Sequence, residues 1–238
     1  MKGTTNVQAI ILRRLKYRES DSKITVYSLE RGILELVVRG TAKPKSKMAA
    51  HIEPLNLVNI MIIPGKQFDY AGSVISEKCF SGIKNNFAQV EIVGQAISIF
   101  NKLVKTGVAD ENLFFLLTDF LSIIDAGLID DKQLEFFKQV FIYKLLNQLG
   151  HGAELGVCVF CKAKLKEEKN IFDFHRGGML CCHHESSRKH LTISPDCVKL
   201  LRLIQEKDFI FLAKIKANNS LFKEAGTSIR LFYNYINE

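Results

Sequence analysis

Hydrophobic positions alternate with polar ones, or fall in short β-branched runs, through the first third of the chain: Val7 to Leu12, Ile24 to Tyr27, Ile33 to Val38, Leu55 to Ile63 and Phe68 to Ile75. A period near two predicts five strands. Glu30-Arg31-Gly32 supplies a tight turn between the second and third, and Pro64-Gly65-Lys66 another between the fourth and fifth. Five antiparallel strands in so short a stretch must protect their edges. Curling into a small barrel does so, and the five-stranded OB-fold is the expected form.

After Cys79 the period lengthens to that of a helix. Val90, Val93, Ile97, Phe100 and Val104 fall on one helical face, and Leu113, Leu117, Phe120, Leu121 and Ile124 on another. A third set, Leu134, Phe137, Phe141, Leu145 and Leu149, follows Asp130-x-x-Gln133, which reads as a capping box, and ends at Gly150-His151-Gly152. Ser194-Pro195 offers an N-cap with proline at the first helical position, and a last helix is expected over about residues 221–235. Three of the four prolines and six of the fifteen glycines precede residue 83, so the texture changes near residue 80. The expected class is α+β with several domains: a barrel over 1–80, a helical domain over 81–150 and 193–238, and an insert over 151–192.

Composition adds exclusions. With 47% apolar and 24% charged residues among 238, the chain is an ordinary globular one, not disordered or fibrous. The best apolar run, Leu113 to Ile129, is broken by Asp119 and Asp125, so no membrane span is expected. The opening Met-Lys-Gly-Thr-Thr-Asn leads into only Ala9 to Leu12, too short for a secretory core, and a cytoplasmic address is expected. In that reducing compartment six cysteines point to metal binding or catalysis more than to disulfides.

Four of the six crowd together as Cys158-Val-Phe-Cys161 and Cys181-Cys182-His183-His184. Read as Cys-x2-Cys-x19-Cys-x2-His, each short pair lets one turn aim two donors at an ion, and Lys162 to Leu180 is long enough for a hairpin that returns the second pair to the first. Cys158, Cys161, Cys181 and His184 would fill a closed tetrahedral shell around one structural Zn²⁺. His184 keeps the two-residue gap symmetric, His183 is the fallback, and Cys182 lies too close to Cys181 for the same turn. Cys79 and Cys197 read as core residues.

The formal charge of +8 is uneven, with 13 basic and 7 acidic residues in the first 80. Arg13, Arg14, Lys16 and Arg18 follow the first strand, and Arg39, Lys43, Lys45 and Lys47 occupy a Gly/Pro-bearing segment after the third. Such a segment is expected to be a mobile, exposed loop able to track a phosphate backbone. Tyr17, Tyr27, Phe68 and Tyr70 are candidate base-stacking faces, although each taken alone reads more readily as a core residue. Enzymatic readings are weaker. His51-Ile-Glu53 with Cys158-x2-Cys161 echoes a zinc deaminase, but Val157 stands where that signature has proline, and Cys181 and His184 would be unused. No nucleotide-binding glycine motif occurs. No catalysis is expected.

Ala9 to Arg14, Tyr17-Arg18-Glu19-Ser20-Asp21, Gly32, Val38 to Ser46 with its Gly-x-x-Lys-Pro-Lys-Ser core, and Gly177-Gly178-Met179-Leu180-Cys181 together resemble the bacterial RecO DNA repair and recombination family over nearly the whole length. Where that family usually has a fourth cysteine, this chain has His184. The resemblance implies an N-terminal OB-fold, a helical domain and a zinc finger. It also implies a non-enzymatic mediator that binds single- and double-stranded DNA near the nucleoid, anneals complementary strands, contacts SSB, and acts with RecR to load RecA. A general OB-fold and zinc-ribbon protein binding RNA or DNA is the other reading.

Overall fold

In a computed structural model that describes residues 3–166, 170–181, 183, 184, 186 and 189–238, the alternating segments form β1 (Thr5–Tyr17), β2 (Asp21–Ser28), β3 (Gly32–Val38), β4 (Leu57–Ile63) and β5 (Asp69–Lys78). They close in the order β1-β2-β3-β5-β4, with every ladder antiparallel except the short β3–β5 pair. Inward positions of all five strands supply one core, including Val7, Ala9, Ile11, Ile24, Val26, Leu36, Val58, Ile60 and Val74, and Ile52 of the β3–β4 loop joins it. Strand β4 begins two residues later than the apolar run because Leu55 takes a positive φ of 75° and turns the chain into it.

A bulge between Ile11 and Arg13 reverses the alternation of β1. Ile11 lies opposite Val26, but beyond the bulge Arg14 lies opposite Ile24 and Lys16 opposite Ser22, while Arg13, Leu15 and Tyr17 share the outer face with Thr25, Lys23 and Asp21.

Packing divides the chain into two units, Met1–Val90 with Ile97–Asp125, and Glu91–Ala96 with Ala126–Glu238. The first contains the barrel, α1 (Ser81–Lys84), most of α2 (Phe87–Leu103) and α3 (Glu111–Asp125). Tyr27, a candidate stacking face that alone reads more readily as core, is fully buried: its ring meets Phe100 edge-on at 4.9 Å and stacks on Phe114 at 6.5 Å. Its hydroxyl donates to the Asp110 carbonyl at 3.0 Å, and burial, then the nearby Asp110 charge, pushes its pKa up to about 12. It therefore stays a protonated donor throughout the neutral range. Val93, Ile97, Phe100 and Val104 are buried as expected, but Val90 is exposed. So is Cys79, because Phe80 takes the buried place next to it.

Gly32 closes the β2–β3 turn with φ +66°, and a Cβ there would lie 2.1 Å from the Val108 carbonyl oxygen. The left-handed backbone alone costs a side chain about 1–2 kcal/mol, and the collision adds to it. Gly32→Ala is accordingly expected to lower stability by roughly 2–3 kcal/mol, read as a lower thermal midpoint; an unchanged midpoint would show that the turn relaxes freely.

In the second unit α4 (Leu134–Gln148) packs against α5 (Pro195–Glu206) and α7 (Asn219–Ile236), with α6 (Phe209–Ala213) between the latter two in sequence. Helix α4 is buried almost all round, not on one stripe, which is the pattern of a central helix. Asp130 caps a single 3-10 turn at 131–133 through the Lys132 N–H, so the expected capping box is one turn early. Ser194 caps α5 from the Cys197 N–H with Pro195 following it, as expected. Strands β6 (Asn170–Asp173), β7 (Gly178–Leu180) and β8 (His190–Ile193) form a small sheet in the order β7-β6-β8, in which β6–β7 is the expected hairpin. Among the described residues no helix is long and apolar enough to cross a membrane.

Candidate functional site

The outer face of the barrel gathers cations and aromatic rings that are scattered in sequence. Tyr17 at the end of β1 meets Phe68 edge-on at 6.1 Å. The Arg18 guanidinium lies 5.1 Å from the Tyr17 centroid, the Lys23 ammonium 5.8 Å from that of Phe68, and the Arg39 guanidinium 4.4 Å from that of Tyr70. Arg13 and Leu15 are exposed on the same face, while Lys16 is exposed on the opposite side of β1, the side of Arg14. A phosphate backbone crossing this face finds cations, and its bases find ring faces. Lys23, which the sequence reading did not single out, lies opposite Leu15 and Val37 on the outer face and is paired there with Glu35 at 2.7 Å.

The cations of β1 divide by role. Arg14 is half-buried: it donates to Ser22 Oγ at 3.3 Å and to the Ala49 carbonyl at 3.1 Å, and it pairs with Glu53. It ties the β3–β4 loop to the barrel, whereas Arg13 and Lys16 face solvent. His51 is similarly occupied, its Nδ1 accepting from the Ser76 N–H at 3.1 Å, so the His51 and Glu53 of the deaminase echo both serve the barrel.

The basic loop is anchored at its base. The Gly40 N–H donates to Asp21 Oδ1 at 2.9 Å, the Ala42 N–H to the Ser20 carbonyl at 3.0 Å, and buried Thr41 shares a hydrogen bond with Ser22 Oγ at 2.7 Å. Gly40 takes φ +68° to enter this turn. From there a Ser46 N–H to Lys43 carbonyl bond of 2.9 Å continues a run of turns that leaves Arg39, Lys43, Lys45 and Lys47 exposed. The loop expected to be mobile thus has a fixed origin and cationic outer turns.

In the second unit Cys158, Cys161, Cys181 and His184 present ligand atoms that all lie within 4.8 Å of one another. Cys181 follows β7 directly. The Cys158 turn is pinned to that strand by Val159 N–H to Met179 carbonyl at 2.9 Å, and it closes on itself through Lys162 N–H to Cys158 carbonyl and Cys158 N–H to Ala163 carbonyl, both 2.9 Å. Cys161 and Cys181 sulfurs are 3.9 Å apart, close to the ~3.8 Å edge of a tetrahedron with 2.3 Å metal–sulfur bonds. Three soft thiolates and an imidazole suit a metal such as zinc and leave no position open. Burial pushes the Cys158 thiol up, but the backbone N–H groups of Cys161, Cys181 and Phe160 together outweigh it and hold the thiol at about 7. His183 is exposed and outside the cluster, Cys182 lies outside the described residues, and Cys197 is buried elsewhere in the core.

The chain matches the family model described as Recombination protein O N terminal over residues 1–75 and that described as Recombination protein O C terminal over residues 93–236. It is 27% identical over 230 residues to a protein named DNA repair protein RecO from Desulforamulus reducens, covering 96% of this chain and 88% of that protein. A protein of the same name from Dehalococcoides mccartyi strain CBDB1 is 26% identical over 231 residues, covering 97% and 90%, and one from Thermodesulfovibrio yellowstonii is 27% identical over 227 residues, covering 92% and 88%.

Proposed function

The chain belongs to the Recombination protein O family, and from that membership we propose that it is a DNA repair protein acting as a recombination mediator without catalysing a covalent change. It binds single- and double-stranded DNA, anneals complementary strands, contacts SSB, and works with RecR to place RecA on SSB-covered gaps. The observation that carries this reading is the outer barrel face, where Arg13, Arg18 and Arg39 stand with Tyr17, Phe68 and Tyr70 at the foot of the anchored loop with Lys43, Lys45 and Lys47. Cations there displace counterions from two polyanions and lower their mutual repulsion, while rings hold bases unstacked without reading them. One Zn²⁺ on Cys158, Cys161, Cys181 and His184 is structural in this scheme.

Nothing in such a mechanism uses a nucleotide. Annealing of complementary oligonucleotides is expected to run faster with the protein than without it, to need no ATP, to slow as salt rises, and to persist on strands coated with the cognate SSB. Glu53→Gln should leave annealing intact, since Glu53 pairs with Arg14. Strands that anneal no faster with the protein, or an activity abolished by Glu53→Gln, would overturn the reading.

A further inference from the structure

The turn between Cys158 and Cys161 carries an exposed aromatic ring that its structural role does not require. Phe160 is 62% exposed, although a phenylalanine whose work is packing is normally buried. Its place is fixed from both sides. Val159 before it is bonded to Met179 of β7, and Cys161 after it is a metal ligand candidate followed by Lys162 at φ +61°. The His184 ring lies 4.5 Å from the Phe160 centroid at a 42° tilt, and the Arg176 guanidinium lies 5.8 Å from it.

Among the described residues, cations lie on the segment around the ring. Lys162 and Lys164 are exposed on the segment that leaves the turn. Among the described residues, Glu154 accepts from the Gly156 N–H at 2.7 Å and the Val157 N–H at 3.3 Å, and buried Asp173 pairs with Arg176 at 2.8 Å, so Lys162 and Lys164 carry the charge open to a phosphate. A preformed apolar ring flanked by cations matches an unpaired base joined to phosphates, since every base has a π-face and every nucleotide a charge. Paired bases in a duplex keep their faces covered, so a stacking ring favours single strands.

We propose that Phe160, exposed on the Cys158–Cys161 turn beside Arg176, Lys162 and Lys164, is a base-stacking platform for single-stranded DNA in addition to the cations of the barrel. The proposal rests on the DNA-binding reading above. It gives the metal cluster a purpose beyond stability, because the metal fixes the turn that presents the ring.

The chain contains no tryptophan, so Phe160→Trp installs a single reporter at the site. Titrating that variant with oligothymidylate is expected to quench its emission, while an abasic strand of equal length should bind with little quenching. In parallel, anisotropy of labelled oligothymidylate should show Phe160→Ala and Phe160→Leu binding about 5- to 100-fold more weakly than the unsubstituted chain, with Phe160→Trp near it. Affinity for the abasic strand should be unchanged in all variants. Leucine keeps an apolar contact to His184, and metal content measured on each variant separates stacking from support of the ligand. Oligothymidylate that binds Phe160→Leu as tightly as the unsubstituted chain, or that binds Phe160→Trp without quenching, overturns the platform while leaving the DNA-binding reading standing. Weak binding of Phe160→Leu that tracks metal loss also overturns it. No binding of any strand by the unsubstituted chain overturns both.

Discussion

Replacing Arg39, Lys43, Lys45 and Lys47 together by glutamine is expected to weaken single-stranded DNA binding on the order of 100-fold at 0.15 M salt, equally for unrelated sequences. Each phosphate contact to a single strand contributes ~0.7 to the slope of log K against log salt, so four lost contacts flatten the slope by about 3. At 0.15 M salt a slope change of that size corresponds to roughly two orders of magnitude in affinity, and near 1 M salt the two proteins should converge. Phosphate contacts carry no base information, which is why the loss should not depend on sequence.

The contrast with Arg14 makes the test specific. Arg14 spends its donors on Ser22, Ala49 and Glu53, so Arg14→Gln should lower stability more than it lowers affinity. A quadruple variant with the affinity and salt slope of the unsubstituted chain would move the DNA contact off the loop. A quadruple variant that melts early would be resolved by the Gly40–Asp21 and Thr41–Ser22 anchors, none of which the four substitutions touch.

The strands were legible because alternation at period two is a local property, and so was the metal cluster, whose ligands lie in two short pairs. What sequence could not show is which outward positions meet solvent and which meet another layer. Tyr27 and Lys23 both point away from the barrel core, yet Tyr27 is buried against Phe100 and Phe114 while Lys23 covers Phe68. The β1 bulge was equally silent, since Arg13 and Arg14 look alike as a pair of cations, and the reversal of alternation decides that one is free for solvent and the other ties down a loop. The strip of Tyr17, Lys23, Arg39, Phe68 and Tyr70 is assembled from strands β1, β2, β3 and β5 and the segments flanking them, so only closure of the barrel brings it together. Helix α4 misled for the opposite reason: its apolar residues fit one stripe, but Phe136, Val140, Ile142 and Tyr143 off that stripe are buried as well.

Removing a ligand from the cluster is expected to give the largest structural effect. Structural zinc contributes binding energy that is also folding energy, on the order of 10 kcal/mol or more in zinc-finger peptides, so a three-ligand remnant should hold the ion more than ~100-fold more weakly. Cys158→Ser and Cys181→Ser should lose the one zinc per chain, and residues 155–190 should become the first site of proteolysis. The amides of Val159 and Met179 report this directly, because the Val159 N–H donates from the turn to the Met179 carbonyl and the Met179 N–H donates from β7 to the Glu154 carbonyl just before the turn. Their exchange should accelerate markedly, while that of α5, capped by Ser194 and buried through Leu200, Leu201 and Ile204, should change less. His184→Ala should behave like the cysteine variants and His183→Ala like the unsubstituted chain, since only His184 joins the cluster. Thiolates bind the ion only after losing their protons, and the lowered Cys158 thiol favours that near neutral pH, so zinc affinity should fall as the solution is acidified. Protein purified without chelator that contains no zinc would remove the site. Equal losses from both histidine variants would remove only the choice of His184, because either ring could then reach the three sulfurs.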